Sequence, residues 1–128
     1  MIEEDYVSFE TAKLLKEKGY NEICRLYITT DKEVYNNPGY PAQKFGTKKF
    51  PFITQSATLK WLREKHSWLL LSDYIFDAKE YVVYLWNIND DRQQGLHKFR
   101  ENGKYLFQYP NYEDCVESAI KYCLENLI

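Results

Sequence analysis

The stretch "EYVVYLWNIN", residues 80–89, constrains the fold more than any other part of the chain. Successive side chains of a strand point to opposite faces. Here both alternating sets are apolar: Val82, Tyr84, Trp86 and Ile88 on one face, Tyr81, Val83 and Leu85 on the other. A strand with two oily faces must be covered on both, so it belongs at the centre of a sheet. The run before it, "WLLLSDYIF" (residues 68–76), is separated from it only by "DAK", a link short enough for a hairpin.

Three helical segments supply covering material. Residues 8–19 open on Ser8, a capping residue, and close on Gly19, where a left-handed terminator belongs. At 100° per residue, Phe9, Ala12, Leu14 and Leu15 form one apolar arc, opposite Glu10, Lys13 and Glu17. Residues 54–66 start at Thr54 and gather Ala57, Thr58, Trp61, Leu62 and Lys65 on one side, with Ser56, Lys60, Arg63 and Glu64 towards water. The last helix is capped by Asn111, with Glu113 and Asp114 in the first turn, where the helix dipole favours carboxylates. Its stripe is Tyr112, Val116, Ala119, Ile120, Cys123 and Leu127.

Between the first two helices, "CRLYITT" (residues 24–30) suits a strand. Residues 31–53, with "NNPGYP" and "KFGTKKFPF", read as a long irregular loop holding a short extra strand at 32–35. "NG" at Asn102 and Gly103 is a turn before "KYLFQY" (104–109), in which Tyr105, Phe107 and Tyr109 alternate with Leu106 and Gln108. The order α-β-(β)-α-β-β-β-α gives an α+β fold: an antiparallel sheet of about three to five strands with three helices packed mainly on one face. At 128 residues this is one domain, long enough to bury a core without disulfides.

The first two helices imitate a helix-turn-helix, but that motif joins its helices by about three or four residues. Here residues 20–53 intervene, so the likeness is one of amphipathic pattern. With 17 Lys and Arg against 19 Asp and Glu, the net charge of −2 gives no global attraction to phosphate. A local patch survives, in which Lys44, Lys48, Lys49, Lys60 and Arg63 are interleaved with Phe45, Phe50 and Phe52. Basic groups neutralise phosphates while rings stack on unpaired bases. The bland reading is a solvated lysine cluster with its phenylalanines tucked onto the core.

No constellation of nucleophile, base and orienting group is visible, and no enzymatic activity is expected. Cys24, Cys115 and Cys123 match neither a disulfide framework nor a zinc spacing with His66 and His97, so reduced thiols are expected, with no metal and no cofactor. His66 ends a helix, where the dipole favours its cation. Asp73 and Asp77 fall two pleats apart on one strand face, without any loop of oxygen ligands. The N-terminus lacks the pattern of a signal peptide and no run is long enough to span a bilayer, so a cytoplasmic setting without membrane contact is expected.

What stands out is the aromatic content, 17% of the chain. Tyrosine and tryptophan are enriched where proteins meet. The set Tyr81, Val83 and Leu85, or the set Tyr105, Phe107 and Tyr109, is therefore a candidate protein interface; core filling is the alternative.

The segments "YVSFETAKLLKEKGY", "TQSATLKWLREKH" and "YPNYEDCVESAIKYCLENLI" together resemble a group of small proteins encoded by phages and integrated mobile elements of gut bacteria. The resemblance spans most of the chain outside residues 31–49. Ile53 stands where that group usually has proline, and Cys115 and Val116 replace small residues. The group brings no established activity or functional residue; it implies a phage-associated setting inside a bacterial host. The expected function is that of a non-enzymatic accessory protein that binds another protein or itself, as in a homodimer. The alternative is a weak nucleic-acid-binding accessory protein using the patch at 44–63.

Overall fold

The computed structural model describes residues 5–89, 100, 101, 104, 105 and 107–128, with the backbone alone at 100, 101, 104 and 105. The elements run α1 (Phe9–Glu17), β1 (Leu26–Thr29), β2 (Val34–Asn36), a 3-10 turn (Ala42–Lys44), β3 (Lys49–Phe52), α2 (Gln55–His66), β4 (Trp68–Ile75), β5 (Glu80–Asn87), β6 (Arg100–Glu101), β7 (Lys104–Tyr105), β8 (Gln108–Tyr109) and α3 (Tyr112–Asn126). The class is α+β, as expected. In place of one sheet there are two three-stranded antiparallel sheets, ordered β2-β1-β3 and β4-β5-β8, and a two-stranded ladder of β6 and β7. The chain divides into two compact units, Met1–Thr58 with Cys123–Ile128, and Leu59–Tyr122.

In the first unit, α1 starts because the Ser8 hydroxyl accepts the Thr11 N–H at 3.2 Å, satisfying an orphan donor of the first turn. It stops at Gly19, whose φ of +92° lets the Gly19 and Tyr20 N–H groups fold back onto the Lys16 and Leu15 carbonyls. Thr11, Ala12 and Leu15 are buried, while Glu10, Lys13 and Glu17 face water. The Phe9 ring meets Phe50 of β3 edge-on, with centroids 5.6 Å apart.

The segment expected to be an irregular loop is largely ordered. β2 pairs with β1 from Leu26↔Asn36 to Ile28↔Val34, two residues later than the strand expected at 32–35. β3 was not foreseen at all; it pairs with β1 through Leu26↔Phe52, Tyr27↔Pro51, Ile28↔Phe50 and Thr29↔Lys49. Pro51 argues against a strand because it cannot donate to a ladder, but β3 is an edge strand, where that loss is tolerated.

In the second unit β5 is central, as its two oily faces require. Neighbouring Val82 and Val83, on opposite faces, are 0% and 2% exposed. β4 pairs with it without a break from Trp68↔Asn87 to Ile75↔Glu80. The hairpin turn takes residues 76–79, with Lys79 left-handed at φ +55°. The "KYLFQY" run is not one strand: β7 pairs with β6, and β8 pairs with β5. The turn expected at Asn102 and Gly103 lies outside the described residues.

Thr54 caps α2, its hydroxyl accepting the Ala57 N–H at 3.1 Å. The buried stripe is Gln55, Thr58, Trp61 and Leu62; Ala57 and Lys65, expected on it, are exposed, because the arc is narrower than the apolar pattern suggested. Three strands lie between α1 and α2, so no helix-turn-helix exists. Asn111 caps α3 through the Asp114 N–H at 3.0 Å. The Cys115 thiol donates to the Phe107 carbonyl at 3.1 Å and lies 3.4 Å from that of Tyr81, tying α3 to the strands beside it. Leu124 takes the buried place expected for Leu127, and Tyr112 is exposed.

Leu85 is 0% exposed and Leu71, on the edge strand, is 48% exposed. Leu85→Ala is expected to cost about 2–5 kcal/mol through lost transfer energy and a cavity. Leu71→Ala is expected to stay within about 0.5 kcal/mol. Urea unfolding with unchanged slope m checks the difference.

Candidate functional site

Two side-chain amides and one ammonium set the geometry of residues 37–49. Asn37 follows β2 and acts as a hub. Its Nδ2 donates to the Cys24 carbonyl at 2.6 Å and to the Tyr40 carbonyl at 2.9 Å, while its Oδ1 accepts the N–H groups of Gly39 and Tyr40. The tight turn this demands puts Gly39 at φ +121°, a region open chiefly to glycine. Gln43 holds the 3-10 turn against the end of α1, its Nε2 donating to the Lys16 and Tyr20 carbonyls.

Lys16 closes the arrangement. Its ammonium donates to the Gly46 carbonyl at 2.6 Å, the Lys49 carbonyl at 3.0 Å and the Phe45 carbonyl at 3.4 Å, and it lies 5.2 Å from the centre of the Phe50 ring. Burial pushes its pKa below the ordinary lysine value.

This framework shapes a cleft of about 210 Å³ lined by Tyr27, Asn37, Pro38, Tyr40, Lys44, Phe45, Gly46 and Lys49. Tyr27 stacks on Tyr35 at 5.6 Å, with Phe45 tilted beside it at 5.8 Å and the Lys49 ammonium 5.0 Å from its ring centre. Tyr40 is 58% exposed. Residues 34–63 hold five of the basic residues of the chain and none of the acidic ones. The cleft can therefore receive a flat ring and an anion together.

The basic patch read from the sequence is only partly brought together. Lys44, Lys49 and Phe45 line the cleft; Lys48 is exposed in the turn before β3 and is not in the lining. Phe50 is buried against α1, and Phe52 stacks on Tyr6 at 4.7 Å. Lys60 and Arg63 lie on the exposed side of α2, in the second unit. Tyr27, Asn37, Tyr40 and Lys16 were missed. "NNPGYP" signalled a turn, but no periodicity marks a ring that acts from a loop.

The candidate protein interface is mostly interior. Val83, Leu85 and Phe107 are 2%, 0% and 3% exposed, which places them inside the monomer and off its surface. Tyr81 is half-buried between Tyr74 and Tyr112, and the Tyr109 hydroxyl is 3.0 Å from that of Ser118. Tyr105 lies on β7, its side chain outside the described residues. β5 needed these groups for its own two faces.

Other titratable groups offer less. The three cysteines are free and buried, with burial lifting Cys115 to about 11 and Cys123 to about 12 and raising Cys24 as well, so all stay protonated near neutrality. His66 packs edge-on against Trp61 at 4.7 Å, and burial lowers its pKa. Asp77 falls in the hairpin turn, away from the strand face it was expected to share with Asp73. His97 lies outside the described residues. Among the described residues no group of three or more His, Cys, Asp or Glu could hold a metal ion, and no helix is long and apolar enough to cross a membrane.

Comparison with protein-family models, with curated proteins and with solved structures finds no match.

Lys16→Met keeps the aliphatic stem but leaves three carbonyls to solvent. At this half-exposed position a stability loss of about 1 kcal/mol is expected. Hydrogen exchange gives the local test: the Lys49 amide, bonded to Gly46 at 3.1 Å, and the Thr30 amide, bonded to Lys48 at 3.3 Å, are expected to lose protection while β5 amides keep theirs.

Proposed function

We propose that the protein is a non-enzymatic accessory protein of a phage or mobile element, working in the bacterial cytoplasm by binding single-stranded nucleic acid at the cleft of its first unit. The observation that carries this reading is the convergence of Lys44 and Lys49 with Tyr27, Tyr40 and Phe45 around one concavity. Lysines neutralise phosphate without regard to sequence, and aromatic rings stack on any unpaired base. Between residues 34 and 63 every charged side chain is basic.

The reading is tested by anisotropy of a labelled single-stranded oligonucleotide at two salt concentrations. One or two neutralised phosphates give a slope that lowers affinity about 3- to 7-fold between 50 and 200 mM salt. Charge reversal at Lys44 and Lys49 is expected to flatten that slope. No binding at low salt would remove the reading.

A second reading, association with another protein or a second copy, is favoured by a different observation. Phe76, at the tip of the β4–β5 hairpin, is 81% exposed, and Leu71 on the same edge strand is 48% exposed. Light scattering at two concentrations is expected to reveal mass above the monomer that Phe76→Ser removes. A monomer throughout would exclude self-association and leave only a foreign protein.

A further inference from the structure

We infer that the cleft is a one-nucleotide pocket, in which the Tyr40 ring stacks on a single unpaired base while Lys44 and Lys49 hold its phosphate. The inference rests on the nucleic-acid reading above and narrows it. A volume of about 210 Å³ lies below the ~300–1,000 Å³ typical of sites for drug-sized ligands, which leaves room for one ring system and its phosphate but not for stacked neighbours.

The rings divide into framework and platform. Tyr27 is occupied by Tyr35, by Phe45 and by the ammonium of Lys49. That contact also holds Lys49 in place beside the cleft. Tyr40 differs: the residue is more than half exposed, yet both of its backbone polar groups are fixed by Asn37. The loop backbone that carries this ring is already fixed, which spares the cost of ordering it when a base arrives.

A phosphorylated or acidic peptide is the other occupant a basic aromatic cleft invites. Readers of such peptides use arginine, whose planar fork grips phosphate bidentately. No arginine lines this cleft; its cations are lysines, which act as point charges. Lysine with several rings suits a nucleotide better.

The experiment compares a labelled oligothymidylate with a duplex of equal length, using the full chain, with unlabelled nucleoside monophosphate, inorganic phosphate and phosphotyrosine as competitors. The strand is expected to bind more tightly than the duplex and to be displaced by the monophosphate at lower concentration than by phosphate. Tyr40→Ala is expected to weaken binding about 5- to 150-fold, the range for a lost stacking contact, with the salt slope unchanged; Tyr40→Phe is expected to bind like the wild type. Charge reversal at Lys49 is expected to flatten the salt slope instead. Equal binding of strand and duplex with no effect of Tyr40→Ala would overturn the one-nucleotide pocket and leave the broader nucleic-acid reading intact. Displacement by phosphotyrosine but not by nucleotide would overturn it in favour of a peptide. Failure of the single strand to bind at low salt would overturn both.

Discussion

The ammonium of Lys16 is the point on which the first unit turns. It leaves the solvent side of α1 and accepts a partly desolvated position, an arrangement that is costly for a lone charge. Three carbonyl oxygens, of Phe45, Gly46 and Lys49, and the face of Phe50 offset that cost. The consequence is structural. A segment with no helical or strand periodicity of its own, between the 3-10 turn and β3, wraps around a fixed positive charge and follows one path. Asn37 does the same for the segment before it, using neutral hydrogen bonds. The walls of the cleft are thus held by polar groups, the Lys16 ammonium and the Asn37 amide.

Local signals were legible where one residue and its near neighbours decide the outcome. Ser8, Thr54 and Asn111 each cap the helix that follows, and Gly19 ends the first, because capping depends on residues within one turn. The central place of β5 was legible for a similar reason: two apolar faces admit no other position. What the pattern does not carry is partnership. "KYLFQY" alternates like one strand, yet its two ends pair with different strands, since alternation reports half-burial and is silent on the neighbour. β3 was hidden by Pro51, a residue whose effect depends on whether its strand is central or at an edge, and that is a property of the sheet.

The aromatic residues show the same division between local and global information. Their number suggested a surface given over to a partner. Many are instead matched with each other: Tyr6 with Phe52, Phe9 with Phe50, Tyr27 with Tyr35, Tyr81 with Tyr112 and Phe107 with Tyr122. Ring pairs of this kind stabilise beyond their buried area. They flank cores whose fully buried side chains are mainly aliphatic, Leu15, Leu62, Leu85, Ile120 and Leu124 among them. Aromatic abundance therefore says little about an interface until the rings left over are known, and Tyr40 and Phe76 are prominent among those that stay exposed.

Net charge is likewise a chain-wide quantity that carries no local information. A total of −2 weighs against phosphate affinity only if charge is spread evenly. A ligand at the cleft responds to groups within roughly one Debye length, about 8–10 Å at moderate salt, and charges farther away are largely screened. Lys44 and Lys49 stand in the lining, within a stretch from 34 to 63 that has no carboxylate side chain. The chain-wide acidic excess comes from residues outside that stretch. Like charges gathered around one concavity raise the free energy of the empty fold, a cost that the proposed seating of an anion would offset.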